Sequence, residues 1–314
     1  MNKLLKVTLL YLFLASSISM PAFCNQKDPV DLDSKIQSVG YKKIDKRSAK
    51  SEIYRLFRAH SRYTNAHQLE DLKNLYSDSY KNSDGFDKQV YFDMVKKTWN
   101  LYPDVRYYTF INDSYINDNY AVVQTKEYAI GKTPGVSENI KGQGLVQSES
   151  SSLYYLEKIG SDWKITSNSI IYEKTTLKYG DARWLDMTLE APALIQPGQE
   201  YTATLKIDTP SNVYVLASLT AEPIVYPQAQ PKEVFRTVKK DGVLERIFRA
   251  NKDNLNEYSV ASIGITKASI TNPSSININI TGMAFIMTRV NTTNGSISKI
   301  AKVCEAQNET NVKN

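Results

Sequence analysis

SAKSEIYRLFRAHSRYTNAHQLEDLKNLYSD, residues 48–78, is the stretch on which the fold class turns. Ile53, Leu56, Phe57, His60 and Tyr63 or Thr64 recur at three- and four-residue intervals, which places them on one face of a helix. Arg55, Arg58 and Arg62 fall on another face, so the predicted helix has a buried side and a solvated one. After a break near Asn65, the residues Leu69, Leu72, Leu75 and Tyr76 mark a second, shorter helix. Ser83-Asp84-Gly85 is a turn signal. Val90, Tyr91, Met94, Val95, Thr98 and Trp99 then define a third helix, which Pro103 closes off.

Working outward toward the C-terminus, the period changes from helical to two. Residues 104–111 and 120–128 read as strands joined through Asn117-Asp118-Asn119. A Gly- and Pro-containing loop covers 131–144, and two long strands follow at about 145–158 and 163–174, hinged at Gly160-Ser161-Asp162. Three helices followed by a four-stranded meander make an α+β unit. Residues 176–184 read as a linker. From 185 to 290 no helix is predicted. Strand-like runs are Leu185–Leu189, Tyr201–Ile207, Val213–Leu219, Val234–Val238, Val243–Ala250, Tyr258–Thr266 and Ile276–Val290, the last broken near Gly282. Turn signals separate them, and short strands at this spacing predict an all-β sandwich domain. Residues 291–314 are a polar tail.

The 314 residues are 41% hydrophobic and 23% charged, which excludes a disordered or collagen-like chain, and two cysteines and two histidines exclude a Cys/His metal cluster. No phosphate-binding glycine loop, zinc spacing or nucleophile elbow is present, so neither a metal nor a cofactor is expected. At the N-terminus, Lys3 and Lys6 precede an apolar run from Val7 to Ile18 and then Ser19, Pro21 and Ala22. That run is too short to span a bilayer and has the layout of a secretory signal peptide over 1–24, with 25–47 a polar leader. Cleavage after Cys24 would start the mature chain at Asn25. The alternatives are a lipoprotein acylated on Cys24, against which Pro21 and Phe23 speak, and cleavage after Ala22 with Cys24 free to pair with Cys304. Either way the expected location is periplasmic or extracellular, without a transmembrane span.

The segment from about 48 to 175 resembles the nuclear-transport-factor-2-like superfamily, which includes SnoaL-like cyclases and ketosteroid isomerase. The residues that carry the resemblance are Arg62-Tyr63-Thr64-Asn65-Ala66, Leu69-Glu70-Asp71-Leu72, Leu75-Tyr76-Ser77-Asp78, Ser83-Asp84-Gly85, the Trp99 helix and the meander with Gly160 and Trp163. The resemblance implies a cone-shaped domain, three helices packed on a curved antiparallel sheet around a conical pocket. The sequel at 185–290 is similar to an immunoglobulin-like β-sandwich. Aligned on Asn65-Ala66, the proton-shuttling aspartate of ketosteroid isomerase falls on Asp84 and its hydrogen-bonding tyrosine on His60. The protonated aspartate of its oxyanion hole falls near Ser151 or Ser152, where that donor is lost. Asp84 as base and His60 as donor would make an isomerase or lyase. Against this, Asp84 also suits a turn or helix cap, and His60 a place on a buried stripe.

The serine-rich strand is the better pocket clue. Ser148, Ser150 and Ser152, with Tyr154, Tyr128 and Trp99, would line a space for a small molecule or peptide. Two basic segments stand out. Residues 42–62 hold eight Lys/Arg against two Asp/Glu, and 232–252 seven against three. The second reads as a hairpin at Asp241-Gly242 presenting Arg236, Arg246 and Arg249 to an anionic partner other than nucleic acid. The sequence thus favours an exported, non-catalytic binding protein that meets a ligand, a protein partner or a second copy as a homodimer. The alternatives are the isomerase and a periplasmic assembly factor of a secretion machine.

Overall fold

The computed structural model describes residues 46–133, 140, 142–210, 213–272 and 275–293. The expected signal peptide, most of the leader, Cys24 and Cys304 lie outside the described residues.

Helix α1 (Lys46–Asn65) buries Ala49, Ile53, Leu56, Phe57, His60 and Thr64, the stripe that the spacing predicts. Its last residue fastens it to the sheet. The Asn65 amide donates to the Ser61 and Tyr107 carbonyls (3.0 and 2.9 Å) and accepts from the Tyr107 amide at 2.8 Å. Helix α2 (Leu69–Lys73) is a single turn that buries Leu72. Helix α3 (Lys88–Leu101) starts at Asp87, whose carboxylate accepts from the Val90 amide at 2.9 Å, and buries Tyr91, Phe92, Met94, Thr98 and Trp99.

Strands β1 (Arg106–Asn117), β2 (Tyr120–Lys132), β3 (Leu145–Ile159) and β4 (Asp162–Gly180) form the antiparallel meander. The C-terminal strands are β5 (Met187–Glu190), β6 (Leu194–Ile195), β7 (Glu200–Ile207), β8 (Val213–Pro223), β9 (Arg236–Thr237), β10 (Val243–Arg249), β11 (Glu257–Asn272) and β12 (Ser275–Thr292). They divide between two sheets: β8, β9, β11 and β12 extend the meander, and β5, β7 and β10 form a second sheet. Residues 282–288 of β12 pair with 174–180 of β4, so one sheet runs β1-β2-β3-β4-β12-β11-β8-β9.

The stretch 176–184, read from sequence as a linker, is therefore the end of β4 followed by a 3-10 turn at Asp181–Trp184. Leu177, Tyr179 and Ala182 are buried there, while Lys174, Thr176 and Lys178 sit on the other face and give the segment its polar look. Gly180 and Gly282 face each other at this junction. A Cβ on Gly180 would lie 2.2 Å from the Thr281 carbonyl oxygen, and one on Gly282 would lie 2.5 Å from the Ala182 amide nitrogen, so the crossing is open only to glycine.

A three-stranded sheet, β10-β7-β5, covers the other face of the C-terminal strands. Leu189, Ala203, Leu205 and Ile207 meet Ala217, Leu219, Ala261, Ile263, Ala284 and Ile286 in one apolar cluster. Tyr258, Val260, Met283, Phe285 and Met287 point the opposite way and join the core beneath the helices. Strands β11 and β12 are thus buried on both faces, which accounts for the unbroken apolar run from Met283 to Met287. The irregularity expected near Gly282 is a bulge rather than an end: β12 continues through it, but its register with β11 shifts at Thr281, between the pairs Gly282–Ile265 and Ile280–Thr266. The expected hairpin at Asp241-Gly242 is not one. β9 pairs with β8 and β10 with β7, and the Val238 amide donates to the Val215 carbonyl, so the turn crosses between sheets. Among the described residues no helix is long and apolar enough to cross a membrane.

Candidate functional site

The helix-facing side of the meander carries a polar row. Glu127 on β2 is paired across the ladder with Ser150 on β3, and Ser150 with Glu173 on β4. Paired residues share a face, and all three are buried.

Glu127 is caged by hydroxyls. Tyr154 donates to Oε1 at 2.9 Å and Thr125 at 3.4 Å, while Ser152 and Ser150 reach Oε2 at 3.3 and 3.5 Å. A carboxylate withdrawn from water needs such donors. Two of the three predicted pocket serines are therefore part of its cage, with Tyr154. The third, Ser148, bonds instead to the Thr175 hydroxyl at 2.6 Å and the Lys174 carbonyl at 3.0 Å. Tyr128 lies on the opposite face of the sheet, under the Lys126 ammonium and against Phe110. Trp99 is buried and stacks on His67 at 4.7 Å, and burial lowers the His67 pKa, with Arg106 adding to the effect.

His60 also faces this interior. Its Nε2 pairs with the Tyr76 hydroxyl at 2.9 Å, and that hydroxyl meets Tyr91 at 3.2 Å. Burial drives its pKa from 6.5 to about 4, so the ring is neutral at neutral pH.

Asp84 sits in the turn before α3, and β12 reaches it there. Arg289 donates to Oδ1, and so does the Asn256 amide at 2.7 Å; both members of the ion pair are buried. Arg289 also donates through Nε to Asn291 at 2.7 Å, and Asn291 in turn donates to the Ile171 carbonyl at 3.0 Å. Beside this pair, Tyr258 donates to Glu173 Oε2 at 2.8 Å. Burial raises the Glu173 carboxyl from 4.5 to about 8, against the opposing pull of Arg289 and the Tyr258 hydroxyl, so it holds its proton at neutral pH. Asp84 Oδ2, Glu173 Oε1 and Arg289 Nη1 are buried atoms without a hydrogen-bond partner.

The structure thus places Asp84 with Arg289 and Asn256, and His60 with Tyr76. The three basic residues of the second patch have different partners or positions. Arg249 pairs with Glu200 at 2.6 Å, Arg246 donates to the Leu219 carbonyl and packs over Phe248, and Arg236 lies on β9. Sequence reasoning missed Glu127, Glu173, Tyr258 and Arg289. The available signal was parity. Glu127 occupies the inward positions of Ala121, Val123 and Ala129, directly opposite the serine-rich strand.

No protein-family model and no curated protein matches the sequence. Among solved structures, the chain is similar to a scytalone dehydratase candidate from Novosphingobium aromaticivorans, at 13% identity and a TM-score of 0.34 over 40% of this chain and 83% of that one. It is also similar to a type 2 hexachlorocyclohexane dehydrochlorinase, at 11% identity and a TM-score of 0.34 over 40% and 84%. A third, protein Kfla4162 from Kribbella flavida, aligns at 13% identity and a TM-score of 0.35 over 40% and 91%. In each case the likeness covers about 40% of this chain.

Proposed function

We propose that the chain is an exported, non-catalytic binding protein in which a cone-shaped nuclear-transport-factor-2-like unit is joined to an immunoglobulin-like β-sandwich. The observation that carries the reading is the burial of Asp84 against Arg289 and Asn256. A general base must offer a lone pair to the substrate's proton within roughly 2.6–3.2 Å. Asp84 Oδ1 is committed to Arg289 and Asn256, and Oδ2, although without a hydrogen-bond partner, is buried. Drawing the side chain away toward a substrate would strand a buried guanidinium, a loss of about 3–5 kcal/mol when such pairs are broken. The serine hydroxyls that could line a pocket are likewise bonded inside the protein. Export is supported by the n-region, apolar run and small-residue sites of residues 1–24.

Two measurements test the proposal. Δ5-ketosteroids and other enolisable carbonyl compounds should not turn over; turnover that disappears in Asp84→Asn while the fold persists defeats the non-catalytic reading. The intact mass of the exported form should correspond to a chain starting at Asn25 without lipid, and a diacylglyceryl adduct on Cys24 would refute that start.

A further inference from the structure

The outer face of the meander, opposite the buried polar row, is built of aromatic rings set among cations. Tyr108 on β1 pairs with Tyr128 on β2, and one row further Phe110 pairs with Lys126. Continuing across β3, Ser151 leads from Lys126 to Tyr172, and Glu149 leads from Tyr128 to Lys174. Rows two residues apart are roughly 7 Å apart. Tyr108 is 52% exposed, Phe110 56% and Tyr172 37%. Arg106 precedes Tyr108 on the same face and is exposed. Glu149 is the acid of these rows and is tied to Lys126 at 2.8 Å, which leaves Lys174, and Arg106 with its Nη1 donating to the Asn65 carbonyl at 2.8 Å, as the cations that no carboxylate of the rows offsets.

We propose that this face binds an anionic glycan. The C–H face of a pyranose ring stacks on tyrosine and phenylalanine rings, and the phenolic hydroxyls supply hydrogen bonds to sugar hydroxyls. Carboxylates along the polymer meet Arg106 and Lys174, and that charge complementarity selects an acidic chain over a neutral one. The proposal deepens the binding reading above and rests on it. A polysaccharide is also the anionic ring polymer that an exported protein encounters, whereas single-stranded nucleic acid has the same stacking and charge chemistry.

The test uses the mature full-length protein with polygalacturonate, dextran and a dT20 oligonucleotide as probes, read by calorimetry and by affinity electrophoresis, with sedimentation in parallel. Polygalacturonate should bind, more weakly as salt rises, and dextran should not. Tyr108→Ala and Lys174→Gln, both surface changes checked by circular dichroism, should each weaken binding by about tenfold. No binding to polygalacturonate, equal binding to dextran, or tighter binding to dT20 would overturn the proposal. So would a self-association that Tyr108→Ala abolishes, because the face would then be an interface between copies. None of these results bears on ketosteroid turnover or on the mass of the exported chain, so the two readings fail separately.

Discussion

Glu173→Gln is the most informative single change, because it removes a titration and keeps the shape. In the folded protein this carboxyl titrates at about 8 rather than 4.5, with burial as the leading cause. The sign follows from linkage. Between those two values the unfolded chain has lost the proton and the folded chain still holds it, so folding stability falls as pH rises and levels off above about 8. At 1.36 kcal/mol for each tenfold change in proton affinity, the full loss is about 5 kcal/mol, of which about 3 has accrued by neutral pH. Glutamine is the isostere of the protonated acid, and it still accepts from Tyr258. Urea denaturation of both proteins from pH 5 to pH 9 should give similar stabilities at pH 5. The variant should then pull ahead by about 4 kcal/mol at pH 9. Curves that stay parallel across this range would refute the reasoning, since Glu173 would then be charged in the folded protein throughout.

Other consequences are independent of that one. His60 titrates at about 4 in the fold against 6.5 ordinarily, so its stabilisation is complete above 6.5 and lost as pH falls toward 4; His60→Gln should remove about 3 kcal/mol of acid sensitivity in the same denaturation series. Asp84→Asn should cost about 3–5 kcal/mol, and Arg289→Met in the same protein should recover much of it, which a double-mutant cycle measures. Thermal unfolding followed by tyrosine fluorescence and by far-ultraviolet circular dichroism should give one coincident transition, because the β4–β12 ladder joins both halves; two separated transitions would show that they unfold independently.

The helical half was legible because its signals are local. The stripe Ile53, Leu56, Phe57, His60 is set by neighbours three or four residues away; the cap of α3 is local too, but it is Asp87 and not Asp84, the aspartate singled out in the sequence. Strand pairing is not local, and two readings suffered for it. β4 alternates Glu173, Thr175, Leu177, Tyr179 inward to its end, but its outward lysines and threonine resembled a linker. The partner that buries it, β12, lies about a hundred residues later, and nothing in residues 174–180 announces that distance. Asp241-Gly242 carries a hairpin signal in its own two residues, yet which strands flank it is decided by Val238 entering a core made elsewhere.

The interior of the site was half legible for the same reason. Ser148, Ser150 and Ser152 of β3 are buried, and small polar side chains on such a strand fit two environments equally well. They can border a space, or they can hydrogen-bond a buried carboxyl group. Only the cross-strand register tells which, and here it sets Ser150 between Glu127 and Glu173. Once those acids are inside, the rest is constrained. Glu127 needs the hydroxyls around it, Glu173 keeps its proton, and Asp84 requires a cation, which comes from β12 as Arg289. An aspartate that stands in the sequence at the position of a proton shuttle is thereby held as one half of the ion pair that joins the turn before α3 to the last strand of the sheet.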